Sequence, residues 1–365
     1  MTSISIETED FDLTTALPPK DIFAFNELRS CADLKRMYDK KQMDISPDFQ
    51  RNQVWNPPAQ ARFLDSLLKN LPIPSMCISL DTNTNQRIVI DGLQRITTVI
   101  KFLEAANNPD SDFRLPVLYY IDDSLSGRDV SEIVKEEPEI IETIENATIP
   151  VTVLRCSLSK EEHMEYIFTI FHRLNTGGIK LNSQEIRNGI LNGKLSRFLS
   201  ELSELHKDEL SFLLNSTENK RFEFEEFLLR FFAFQERSDS YKNPLTRFLN
   251  NYMSDYRNLS DYEMEEKKSL LSKVLDIAKR GLSGEKVASK VITEAILYGI
   301  SKNLDFLNNK NEAFLLERIQ IMQKTGPFSP VELQEGIFKT KKVKDRLEAA
   351  KLAFSDENQN GNTAD

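Results

Sequence analysis

Hydrophobic residues recur along this chain in two rhythms. Up to about residue 193, short β-branched runs alternate with helical stripes; beyond it strand signals nearly vanish and helical periodicity takes over. The sharpest pattern runs from Gln86 to Leu103. Arg87, Ile88, Val89 and Ile90 read as a buried strand, and Asp91-Gly92 as a turn. Ile96, Val99, Ile100 and Leu103 then recur at helical spacing, so a helix follows directly. Residues 76–80 predict a strand that makes 75–90 a hairpin, and 113–121 and 149–154 predict two more strands.

Helical stripes fill the intervals. Leu28, Leu34 and Met37 predict a helix over 26–40. Asn56 as N-cap with Pro57 behind it opens a helix through Phe63, Leu64, Leu67 and Leu68, which Pro72 and Pro74 stop. Residues 45–55 read as extended, and the acidic stretch 129–147 as helical. Ser159 with Glu162, and Asn182 with Glu185, have capping-box spacing. In the second half Phe224, Phe227, Leu228, Phe231 and Phe232 share one helical face, better suited to a core than to a cofactor box. Further helices are expected at 245–257, 262–280, 285–307, 312–324 and 340–354. The expected class is α+β: a flexible acidic leader over 1–25, a mixed α/β domain over 26–193, a helical domain over 194–354 and a disordered tail over 355–365.

Composition narrows the functional classes. The net charge of −10 is concentrated in residues 1–30 and 122–147, so the remainder is nearly neutral and a local basic groove stays compatible with it. No apolar run approaches the ~20 residues of a membrane span, and the N-terminus lacks the basic and apolar regions of a signal peptide. Cys31, Cys77 and Cys156 are isolated thiols without a C-x-x-C pair. The expectation is a protein of the reducing cytoplasm with no membrane partner.

Three stretches carry candidate chemistry. A strand–turn–helix at Asp91-Gly92 places backbone N–H groups at a helix N-terminus, which favours an anion, and Arg95 in the first turn could close over it; an Asp-capped helix with a surface Arg is the plain alternative. Around Asn175, Thr176, Gly177 and Gly178, the glycines allow close backbone approach. Arg173 and Arg187 bracket that loop and Gln184 adds a neutral hydrogen-bonding group, a set suited to a triphosphate; a helix C-cap and turn would use the same residues. Gln50 and Arg51 with Trp55, the only tryptophan, could stack on and pin a nucleotide, although such a Trp also anchors segments to a core.

The ordered motifs FQRNQVW, LPIP, VIDGLQRITTV, FHRLNTGG and LNSQEIRNG resemble the N-terminal domain of GmrSD-type modification-dependent restriction endonucleases, within the ParB/sulfiredoxin-like superfamily. The likeness covers roughly residues 40–260. It implies a ParB/sulfiredoxin-like fold and a nucleoside triphosphate ligand with Mg²⁺, in a bacterial phage-defence setting. Carried over, Asp91, Gly92, Gln94 and Arg95 fall on an Asp-Gly-Gln-Gln-Arg signature tied to nucleotide binding and hydrolysis. In that reading Asp91 also holds the metal, and Arg51, Arg173, Asn175 and Gln184 fall on flanking motifs. Leu93 stands where the family usually has Gln. The full architecture ends in an HNH nuclease, which needs histidines. This chain has only His163, His172 and His206, and the first two read as surface or capping residues. Three functions stay open at this level: an NTP-binding sensor with slow hydrolysis, a DNA endonuclease, and a DNA-binding protein. DNA, a separate effector protein or a second copy of the chain are the partners these readings bring.

Overall fold

The computed structural model describes residues 18–45, 55–174, 181–216, 218–285, 287 and 289–356. The chain divides into two compact units. One runs to Leu181 and takes in Asn188–Ile190; the other comprises Asn182–Arg187 and the chain from Leu191.

The first unit is built on a five-stranded sheet, β1 (Phe23–Ser30), β2 (Met43–Asp44), β3 (Met76–Asp81), β4 (Arg87–Asp91) and β5 (Thr148–Cys156), in the order β1-β5-β3-β4-β2. β1 pairs with β5 and β3 with β4 antiparallel, whereas β3–β5 and β2–β4 are parallel. Its helices are α1 (Cys31–Asp39), α2 (Pro57–Leu68), α3 (Leu93–Ala106), α4 (Val130–Glu136), α5 (Pro138–Asn146) and α6 (Glu161–Leu174). α3 is the hub, packed against α1, α2, α4 and α5. Ile96, Val99, Ile100, Phe102 and Leu103 are all buried, the face its periodicity marks as apolar. Asn56 caps α2 by accepting from the Ala59 N–H at 3.0 Å.

Several expectations are corrected here. Residues 26–30 are strand, not helix: β1 pairs with β5 over its whole length, and α1 begins at Cys31 because Ser30 caps it, accepting from the Asp33 N–H. The end of the expected leader is anchored, since Asp21 pairs with Lys160 and with His163 Nε2, the latter at 2.8 Å. Residues 1–17 and the tail 357–365 lie outside the described residues. The strand expected at 113–121 is a loop whose one bridge among the described residues is Arg114–Asp129. Pro116 has no N–H to donate, and the loop is tied instead by Leu118 N–H to Ser126 Oγ and Gly127 N–H to the Pro116 carbonyl. His163 is a buried structural residue: Nδ1 accepts from the Ser157 N–H at 2.9 Å, leaving Nε2–H to face Asp21.

The second unit is helical throughout. It contains the start of α7 (Ser183–Ile190), then α8 (Lys194–Leu205), α9 (Lys207–Leu214), α10 (Glu223–Arg237), α11 (Leu245–Asp255), α12 (Asp261–Leu282), α13 (Lys290–Ser301), α14 (Leu304–Leu307), α15 (Glu312–Lys324) and α16 (Thr340–Ala353). α10 is its core. Every residue from Phe227 to Phe234 is buried, so the helix is enclosed on all sides rather than on one face. Arg230 is accommodated there by Glu294, with Nε–Oε2 at 2.6 Å.

Candidate functional site

The turn between β4 and α3 builds the site. Gly92 has φ of 95° and ψ of 12°, a left-handed conformation that favours glycine. It occupies the N-cap position and brings no side chain to cap the helix, so the positive end of the α3 dipole is dressed by backbone alone. A register shift at Cys77/Ile78 in β3 lies opposite Asp91, a bulge of the kind that re-aims side chains at strand ends.

Asp91 and Arg95 face each other one helical turn apart, with Oδ2–NH2 at 2.9 Å. The Arg95 guanidinium also donates to the Ser75 carbonyl at 3.4 Å and to the Pro74 carbonyl. Its side chain is 12% exposed, and burial pulls its pKa down from the ordinary arginine value while Asp91 pushes it back up. Arg95 therefore both closes the β4–α3 turn and holds the Pro72–Pro74 segment. Gln94, beside it, points elsewhere: its Oε1 accepts from the Trp55 N–H at 2.8 Å. The Trp55 carbonyl accepts from Gln60 Nε2 at 3.0 Å, and the indole meets Phe63 edge-on, with centroids 5.5 Å apart at 68°. Between these two walls opens a cleft of about 390 Å³, lined by Trp55, Arg62, Phe63, Pro72, Pro74 and Arg95 among others.

Leu93, the departure from the family signature, is buried at 8% exposure. Its side chain belongs to the core of the unit. The position does not present a polar group at the turn, and a Gln in the same rotamer would be buried.

The remaining expected site residues are scattered. Arg173 is exposed in the last turn of α6. Gln50, Arg51, Asn175, Thr176 and Gly177 lie outside the described residues. Gln184 and Arg187 belong to the helical unit and are buried, at 1% and 0% exposure. Arg187 Nε donates to Gln184 Oε1 at 2.8 Å and its NH2 to Glu226 Oε2 at 3.3 Å. Where the sequence suggested phosphate ligands, this geometry gives a packing network. The Asn182–Glu185 capping box is present. Pro72-Ile73-Pro74 carries both the stop of α2 and the LPIP motif, whereas nothing in the sequence singles out Arg62.

Asp91 is a single carboxylate already paired with Arg95. Among the described residues no group of three or more His, Cys, Asp or Glu is placed to hold a metal ion.

A mixed α/β unit that presents a strand–glycine–helix turn beside an arginine-walled cleft is the class of protein the fold and site define. Residues 34–192 match the family model described as the GmrSD restriction endonuclease, N-terminal domain. That stretch is similar to a GmrSD-type N-terminal domain. No curated protein and no solved structure matches the chain. Among the described residues, no helix is long and apolar enough to cross a membrane.

Proposed function

We propose that this domain binds a nucleoside triphosphate at the Gly92 turn and serves as the nucleotide-responsive part of a restriction-like phage-defence system. The defence setting rests on the family alone. The nucleotide reading rests chiefly on one observation, the left-handed Gly92 that ends β4 and begins α3 with no capping side chain. A turn of this form lets an anion approach backbone N–H groups along the helix axis, where the dipole favours negative charge. Arg95 adds a guanidinium at the same turn, held by Asp91 and the Pro74 and Ser75 carbonyls. An incoming polyphosphate would exchange the Asp91 contact for phosphate oxygens, which suit a planar fork better than a point charge.

Binding is the part the residues support. Asp91 is committed to Arg95, and Gln94 Oε1 to the Trp55 N–H, so neither is poised to activate a water in this arrangement. The test is a thermal-shift panel with ATP, GTP, CTP and UTP on the wild type and on Arg95→Ala. At ligand concentrations near 100 times Kd, binding adds about 2.7 kcal/mol of apparent stability. A shift with at least one nucleotide, lost in the variant, is expected. No shift with any of the four would overturn the proposal.

A further inference from the structure

The two signature side chains do not share a partner; they hold two different segments that line one cleft. Gln94 grips the Trp55 backbone on one side. Arg95 grips the Pro74 and Ser75 carbonyls on the other. Both come from the first turn of α3, so the width of the cleft is set by the same turn that faces the anion.

The lining is selective in kind. Trp55 and Phe63 give aromatic surface, while Pro72 and Pro74 give rigid apolar surface without N–H donors. Arg62 and Arg95 give two planar cations, and Arg62 also lies 6.0 Å from the centroid of Tyr120, whose ring is 62% exposed. Guanidinium planes and aromatic rings stack on flat heterocycles, and guanidinium edges donate to their ring nitrogens and carbonyls. A cleft of about 390 Å³ lies within the range of small-molecule pockets, about 300–1,000 Å³. An aliphatic peptide would leave the paired cations unused, and an acidic peptide would leave the stacking surface unused.

We propose that the Trp55–Arg62–Pro74 cleft receives the planar base of a nucleotide whose phosphates lie at the Gly92 turn, with Gln94 and Arg95 acting as positioning residues that set its width. This rests on the nucleotide reading above and extends it to a separate subsite. Arg95 touches both ends of such a ligand: it lines the cleft and closes the turn.

Trp55 is the sole tryptophan, so its emission reports the cleft directly. The full chain is titrated with the four ribonucleosides, the four NTPs and inorganic tripolyphosphate, following Trp55 fluorescence and thermal stability together. Ala59→Phe fills the cleft from α2, and Arg62→Ala removes one cation from an exposed position; circular dichroism checks that each variant is folded. At least one nucleoside and its NTP should quench Trp55 saturably, and tripolyphosphate should stabilise without quenching. Ala59→Phe should weaken the NTP at least tenfold while leaving the tripolyphosphate shift intact, and Arg62→Ala should weaken it less. Stabilisation by NTPs with unchanged Trp55 emission, and unchanged NTP affinity in folded Ala59→Phe, would overturn the base subsite and leave triphosphate binding standing. Nucleoside quenching with no response to tripolyphosphate would support the subsite and overturn the phosphate site. No response to any of the three probe classes would overturn both.

Discussion

Gly92 lies so close to Met76 that a Cβ on the glycine would stand 2.5 Å from Met76 Cγ and 3.0 Å from Met76 Cβ. The contact joins the start of β3 to the turn between β4 and α3, and it coincides with the positive φ of 95°. Either feature alone disfavours a side chain there. Gly92→Ala is expected to destabilise the α/β unit by about 1–3 kcal/mol, read as a lower urea midpoint with an unchanged slope. Met76→Ala should not rescue it, because removing the neighbour leaves the backbone strain in place. An Ala variant as stable as the wild type would show that the turn tolerates a side chain.

Leu93 permits a direct test of the departure from the family signature. Because the side chain is 8% exposed, Leu93→Gln would bury an amide among apolar neighbours. The expected cost is about 1–3 kcal/mol, with no gain in nucleotide binding. If the variant kept its stability and gained hydrolysis of an NTP, the position would have to face the ligand.

Gln94→Ala separates the wall-holding role of that side chain from the anion at the helix terminus. Losing the bond to the Trp55 N–H should cost about 0.5–1.5 kcal/mol and shift Trp55 emission to the red as the segment loosens. The tripolyphosphate shift should persist. Unchanged emission would mean that Gln60, which holds the Trp55 carbonyl, fixes the segment unaided.

What the sequence revealed follows the range of the interactions. The β4–turn–α3 unit was readable because each of its signals is local: a β-branched run, Asp91-Gly92, and apolar residues at helical spacing. The Asn56 cap and the Asn182–Glu185 capping box were readable for the same reason. β1 was not, because residues 26–30 become strand only by pairing with β5, far along the chain. Within the candidate site, Asp91, Gly92 and Arg95 could be named from sequence, whereas the cleft could not: its walls are tied by contacts between distant segments, among them Gln94–Trp55 and Arg95–Pro74. The burial of Arg187 and Gln184 was not legible either, because a polar motif does not disclose which of its side chains are enclosed.

The three cysteines give a pH prediction for the α/β unit, which contains them all. Cys31, Cys77 and Cys156 are buried, and desolvation pushes each thiol up to about 12. The folded values therefore exceed the unfolded value of about 8.5. The stabilisation is fully present below about pH 8.5 and is lost as pH rises toward 12, because the unfolded chain releases its thiol protons first. The urea midpoint should fall between pH 8 and pH 10.5, and substituting the three cysteines by Ala should flatten that dependence. At pH 8 the native protein should resist a thiol reagent, and all three thiols should become reactive on denaturation together with the change in Trp55 fluorescence. Rapid labelling of the native protein would contradict the burial.

Glu185 carries two structural tasks in the helical unit. Its Oε2 accepts from the Asn182 N–H at 2.7 Å, completing the α7 capping box. The same carboxylate takes both Arg221 Nε and NH2, at 3.0 and 2.5 Å. Arg221 itself adopts φ of 54° and is followed by Phe222 at 63°, two non-glycine residues in the left-handed region just before α10. Such a backbone persists only where its surroundings hold it, and here Glu185 holds the Arg221 side chain while Asn182 Nδ2 donates to the Arg221 carbonyl at 2.8 Å. Glu185→Ala removes the reciprocal half of the capping box and the bidentate pair together, while Asn182 Oδ1 still accepts from the backbone N–H of residue 185. A cap is worth about 1 kcal/mol; the ion pair adds less than a fully buried one because Arg221 is 38% exposed. The expected loss is about 1–3 kcal/mol, confined to the helical unit. Arg221→Gly should cost less, since glycine relieves the strained φ while losing the ion pair. Both are measured by denaturation followed by far-ultraviolet circular dichroism: a smaller loss for Arg221→Gly is expected, and a loss as large as that of Glu185→Ala would contradict the strain relief.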